Sequence, residues 1–176
     1  MSLPTNLSLT ITQVSAVLHG VTLPMGLTLS RVTVEGSGLS WQKEPFKIEL
    51  DAPGSFKAHV TQDALADFLN KQRPAGLKNF KVQAQGGRLH LDALRSMLID
   101  VPAKAVCTLR IVDKRQLFVD LESVEIMGAA AKHLVQAQLD KINPVLDVAE
   151  FPVSAELLEL AVDNGEVIMK GTLAPR

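Results

Sequence analysis

Tyrosine is absent from this chain of 176 residues, and six Phe with one Trp are its only aromatic side chains. Sugar platforms and single-strand nucleic-acid platforms stack their ligands on aromatic faces, so neither is expected. An excess of charge is missing too: 18 Lys and Arg against 19 Asp and Glu leave a net charge of −1. Non-specific nucleic-acid affinity comes from surplus basic charge, so no nucleic-acid partner is expected. The single cysteine, Cys107, cannot close an internal disulfide. No run approaches the ~20 apolar residues of a membrane helix. The start, Met1-Ser2-Leu3-Pro4-Thr5-Asn6, lacks the basic segment and apolar run of a secretory signal. As written the chain reads as cytoplasmic; an extracytoplasmic place stays open if an export segment was removed.

Catalytic signatures are equally scarce. His19, His59, His90 and His133 are scattered and none sits in an HExxH arrangement. His90 and Asp92 share one strand face, but zinc needs three or four converging ligands, so a solvated pair is the expectation. Gly36-Ser37-Gly38 follows Glu35 and is not a nucleophile elbow. No phosphate-binding glycine loop occurs. The reading is a non-enzyme with no catalytic residue, metal or cofactor.

What is present is aliphatic and alternating. Apolar residues make up 47%, and Leu and Val together number 44, enough for one sizeable core in a single domain. Leu7, Leu9 and Ile11 alternate with polar residues, as in a half-buried strand. Leu27 and Leu29 are odd while Val32 and Val34 are even, so a β-bulge near Ser30-Arg31, or a loop, must intervene. The same parity slip separates Leu117, Val119 and Leu121 from Val124 and Ile126. Three hairpins are predicted: Phe46–Leu50 with Phe56–Val60 through Pro53-Gly54, Phe80–Ala84 with Leu89–Leu91 through Gly86-Gly87, and Leu158–Val162 with Val167–Met169 through Asn164-Gly165. From Met97 to Ile111 every odd position is apolar or small, which predicts one strand of about 50 Å at ~3.3 Å per residue. Cys107 lies on its inward parity, as a small hydrophobe.

Two helices interrupt the strands. The first starts from the N-cap Thr61, carries Leu65, Phe68 and Leu69 on one stripe, and ends at Pro74. The second is expected from about Gly128 to Ile142, with Asn143-Pro144 kinking or stopping it. Its apolar face gathers Ala131, Leu134, Val135 and Ile142, and three alanines, Ala129 to Ala131, make it thin there. Gln138 falls within that face, either satisfied in a polar pocket or turned toward a ligand. Lys71, Arg73, Lys78, Lys81 and Arg88 form a basic stretch without acids, either a solvated surface or a contact with an anionic membrane.

Several segments, in order, carry a resemblance. They run from Gly54-Ser55-Phe56-Lys57-Ala58-His59-Val60-Thr61 into Asp63-Ala64-Leu65, through Gln116-Leu117-Phe118-Val119 and Ile126-Met127-Gly128. They continue with Ile142-Asn143-Pro144-Val145-Leu146-Asp147, Phe151-Pro152-Val153, Val162-Asp163-Asn164-Gly165 and Lys170-Gly171-Thr172. Together, over most of the chain, they resemble the LmeA-like phospholipid-binding family. The resemblance implies an α+β fold, a long, strongly curved antiparallel sheet wrapped around one long α-helix with a second short helix, similar to tubular lipid-binding proteins. It also implies non-catalytic binding of a phospholipid or fatty-acyl ligand.

On that premise acyl chains would lie against Leu134, Val135, Gln138 and Ile142 of the helix and Ile99, Val101, Ala103 and Ala105 of the long strand. Lys71, Arg73, Lys78, Lys81 and Arg88 would face headgroups or a membrane. A structural or adaptor domain with a fully packed core is the rival, and a lipid-ester hydrolase a third class needing a nucleophile beside a base.

Overall fold

The computed structural model describes residues 8–42, 47–151 and 153–174. Met1–Asn6, Leu7, Phe46 and Pro152 lie outside the described residues. In chain order the elements are β1 (Ser8–Thr22), β2 (Thr28–Gln42), β3 (Lys47–Leu50), β4 (Gly54–Thr61), α1 (Gln62–Gln72), β5 (Leu77–Gln85), β6 (Arg88–Ser96), β7 (Asp100–Val112) and β8 (Gln116–Ile126). They continue with β9 (Ala129–Ala130), α2 (Lys132–Ile142), β10 (Leu146–Asp147), β11 (Ala155–Asp163) and β12 (Glu166–Leu173).

The strands form two sheets, antiparallel throughout, in an α+β fold. The first runs β1-β2-β4-β12-β11 with β3 added to β2; the second runs β10-β8-β7-β6-β5 with β9 added to β8. β11 lies across the hairpin tips of the second sheet. Gly87 N–H donates to Val162 C=O at 2.8 Å, Gly165 N–H to Ala84 C=O at 2.9 Å, and Leu157 N–H to Lys114 C=O at 2.6 Å. At the opposite ends of β5 to β8, no backbone hydrogen bond joins the two sheets among the described residues. The second sheet is therefore stitched to the first at one end and free at the other.

Inward parity fills the space between the sheets with aliphatic side chains, and Leu157, Val60 and Val148 are the largest fully buried ones. At Gly171 a Cβ would overlap the Phe56 ring and the Glu156 carbonyl, so glycine there lets β11, β12 and that ring close up. The buried His59 points to the other side of β4. Its Nε2 lies 3.3 Å from Arg31 Nη2 and its Nδ1 3.2 Å from Glu166 Oε2. An arginine can only donate, so Nε2 accepts and Nδ1–H is the donor to Glu166.

Several expectations hold locally. Thr61 Oγ1 accepts from Ala64 N–H at 3.1 Å and caps α1. The Gly86-Gly87 and Asn164-Gly165 hairpins form. In β8 the register against β7 shifts between Val106 and Cys107, leaving Glu122 as the extra residue of a bulge that returns Leu121 and Val124 to the core.

Others are corrected. Among the described residues no long helix fills the sheet: α1 and α2 have 11 residues each, about 16 Å at 1.5 Å per residue. Ala129-Ala130 is strand, because Met127 and Gly128 turn the chain at φ 55° and 75° and the free edge of β8 takes up the alanine backbone. That pairing overrides alanine's helix preference. The long strand starts at Asp100, since Met97 N–H closes on Ile99 C=O and Ser96 on Asp100 in a turn. β3 and β4 are not a hairpin. Both run antiparallel to β2, Leu50 opposite Leu39 and Ser55 opposite Glu35, as one strand broken at Asp51–Pro53 where proline has no N–H to offer. No bulge interrupts β2 at Ser30-Arg31 either, for the register with β1 is continuous there. The change of face sits opposite Gly20, whose φ of 65° only glycine adopts freely.

Candidate functional site

Alternation on β5 to β8 directs one face of the second sheet inward as an apolar floor. β5 supplies Phe80 and Val82, β6 Leu89 and Leu91, β7 Ala103, Ala105 and Leu109, and β8 Leu117, Val119 and Leu121. Val60, Val167 and Met169 of the first sheet face them, and Leu65, Phe68 and Leu69 of α1 and Val135, Leu139 and Ile142 of α2 close the sides. These walls leave a cavity of about 190 Å³. A second, of about 390 Å³, lies along the inner face of the first sheet, between Leu29, Val34 and Phe56 and the chain segment bearing Phe151 and Val153. Leu146 and Met169 belong to both walls and form the partition between them. An apolar void of about 150 Å³ stays dry and accepts a benzene-sized guest, so each chamber exceeds what a small apolar ligand needs.

Ala93, Ala103 and Ala105 lower the floor toward the free end of the sheet, where larger strand residues would fill the cavity. The two helices are each tied to the floor by one asparagine. Asn70 accepts from Phe80 N–H at 2.7 Å and donates to Phe80 C=O at 3.2 Å. Asn143 accepts from Val119 N–H at 3.0 Å and donates to Val119 C=O at 2.9 Å. Each carboxamide stands in for a missing neighbouring strand. On β8 it joins β9 and β10 in covering an edge that would otherwise expose backbone groups. The sequence marked Asn143 only as the stop of the second helix and did not mark Asn70, and neither edge-covering role was legible from it.

Of the residues expected along a ligand, Val135, Gln138, Ile142, Ala103 and Ala105 lie on the first cavity's wall. Leu134 is half exposed on the outer side of α2, and Ile99 is exposed in the turn before β7. Val101 is buried but lies off the wall. Gln138 is exposed at the rim and makes no hydrogen bond among the described residues, so it is not a satisfied core amide.

The basic residues are divided by the fold. Lys71 and Arg73 end α1, and Lys78 pairs with Asp100 at 2.9 Å, all at the free end of the second sheet. Arg88 sits at the stitched end with its Nε 2.7 Å from Glu122 Oε2, and Lys81 lies between on β5. Burial, aided by Glu122, pushes the Cys107 thiol up to about 12, so it packs as an apolar group. The Arg115 guanidinium, 2.7 and 2.8 Å from the two Asp147 carboxylate oxygens, holds that acid far below the usual carboxylate range. This pair anchors the segment that carries Leu146 into the partition. No group of three or more His, Cys, Asp or Glu that could hold a metal ion occurs among the described residues. No helix among them is long and apolar enough to cross a membrane.

A family model described as LmeA-like phospholipid-binding matches residues 10–172. No curated protein and no solved structure matches the chain.

Proposed function

The chain belongs to the LmeA-like phospholipid-binding family, and from that premise we propose that it carries a phospholipid, or another acyl-chain lipid, without catalysis, with the apolar tails in the two chambers. The observation that carries this reading is the pair of apolar cavities divided by Leu146 and Met169, with the exposed Gln138 on the wall of the first. Two chambers sharing one partition suit a ligand with two tails.

Each methylene moved from water into the chambers gains about 0.8 kcal/mol. A bilayer offers a tail the same gain, so extraction is close to neutral, and neutrality favours exchange or sensing over tight storage. Ala103, Ala105 and Val135 supply width for the tail, while Gln138 at the rim offers both a donor and an acceptor to a headgroup.

Solvent extraction and mass spectrometry of the purified protein test the proposal, together with thermal unfolding after incubation with phospholipid. Co-purified lipid and a rise in Tm on loading are expected. Lipid-free protein that neither takes up phospholipid nor gains stability from it would overturn the reading.

A further inference from the structure

Three consecutive apolar side chains stand in water at the turn between β6 and β7. Met97 is 64% exposed, Leu98 fully and Ile99 72%. The 3.1 Å bonds from Met97 N–H to Ile99 C=O and from Ser96 Oγ to Asp100 Oδ1 hold the turn in shape. Met127 is 66% exposed on the adjoining β8–β9 turn, its N–H bonded to Pro102 C=O at 3.0 Å. Pro102 pairs with Leu94, two residues before the last pair Ser96–Asp100, so Met127 stands about 7 Å behind that pair at ~3.3 Å per residue and the tip extends beyond it. Single exposed aliphatics are ordinary, whereas a contiguous cluster marks a surface that meets an apolar partner.

The occupant follows from shape, charge and place. A hairpin tip is convex, so its side chains point apart, and a fluid hydrocarbon layer can surround all of them at once. Cations stand at this end: Lys71 and Arg73 where α1 finishes, and Arg95 opposite Leu77 at the start of β5. Among the described residues none of these three has a carboxylate partner, whereas Asp100 is neutralised by Lys78. Pro74, Ala75 and Leu77, where β5 starts, all lie on the first cavity's wall, so that part of the wall reaches the same end.

We propose that Met97, Leu98 and Ile99, backed by Met127, form a tip that inserts into an anionic phospholipid bilayer, with Lys71, Arg73 and Arg95 on the headgroups. This rests on the lipid-carriage reading and adds to it the element that meets the membrane. Docked so, the protein presents the Pro74–Ala75 side of the cavity toward the headgroup layer.

The test uses sedimentation with vesicles of phosphatidylcholine and phosphatidylglycerol, alongside lipid loading from detergent micelles. Leu98→Asp should weaken vesicle binding about tenfold or more, the transfer of one Leu side chain being lost. Loading from micelles and Tm should stay at wild-type values, because Leu98 touches no wall. A fluorophore on Leu98→Cys should shift to the blue on adding vesicles, while one on Arg88→Cys, at the stitched end, should not; the buried Cys107 leaves labelling selective. Unchanged vesicle binding by Leu98→Asp, or no shift at position 98, would overturn the inference. Wild-type protein that loads lipid from micelles but ignores vesicles would overturn it too and leave carriage standing. Self-association without vesicles that Leu98→Asp abolishes would assign the tip to a second copy instead. Binding to vesicles through position 98 by protein that loads no lipid would uphold the tip and sink carriage.

Discussion

Ala105→Leu puts the emptiness of the first cavity to a test of sign. Ala105 lies on the cavity wall between Leu91 of β6 and Val124 of β8. Leucine adds three carbons to alanine, and at ~0.8 kcal/mol each their burial contributes about 2.4 kcal/mol. For a domain of this size 1 kcal/mol is worth roughly 2–4 °C, so delipidated Ala105→Leu should melt about 5–10 °C above the parent. It should also load less phospholipid, since the side chain occupies the tail's space. Thermal unfolding of the lipid-free protein, followed by a loading assay, measures both. If the site were already full, the added carbons would strain it and cost about 1–3 kcal/mol. A fall in stability would therefore refute the argument for an open chamber.

Two further outcomes follow from the elements that frame the chambers. Asn143→Ala leaves Val119 N–H and C=O without their partner, so a loss of about 1–3 kcal/mol is expected, with faster amide exchange at Val119. Asp147 has its carboxyl pKa lowered by Arg115, so the pair's contribution is fully present above the unfolded value of about 3.9 and is lost as pH falls below it. Acid titration of stability should thus be steeper for wild type than for Arg115→Gln, and superimposable curves would exclude the linkage.

Much of the local strand structure in both sheets was readable from alternation and turn chemistry. Gly86-Gly87 and Asn164-Gly165 specify hairpins by their turn chemistry alone, whereas a parity slip leaves both a bulge and a loop open: the one at Leu121–Val124 is a bulge at Glu122, and the like slip at Leu29–Val32 is met by Gly20 on the neighbouring strand without one. Long-range choices were not readable. Phe56–Val60 alternates whichever strand it meets, and it pairs with β2 and β12 rather than with β3. Periodicity also runs on through segments the backbone has ended: Ile99 keeps the parity of β7 while sitting in a turn, and Ala129 keeps helical character while paired with β8. The cavity shows the same division. Ala103, Ala105 and Val135 follow from their own strand and helix, whereas Val60, Val167 and Met169 reach the wall only because β4 and β12 fold over the second sheet.

The two-residue period of β5 to β8 has a consequence for how such a protein changes over time. Residues that shape the compartment and residues that meet solvent belong to largely separate, interleaved sets: Phe80 and Val82 against Lys81 and Gln83, Ala103 and Leu109 against Pro102 and Arg110. Selection on guest size can act on one set while selection on solubility acts on the other, with little trade between them. A lineage, or a designer, can resize the interior one position in two and leave the outer coat untouched.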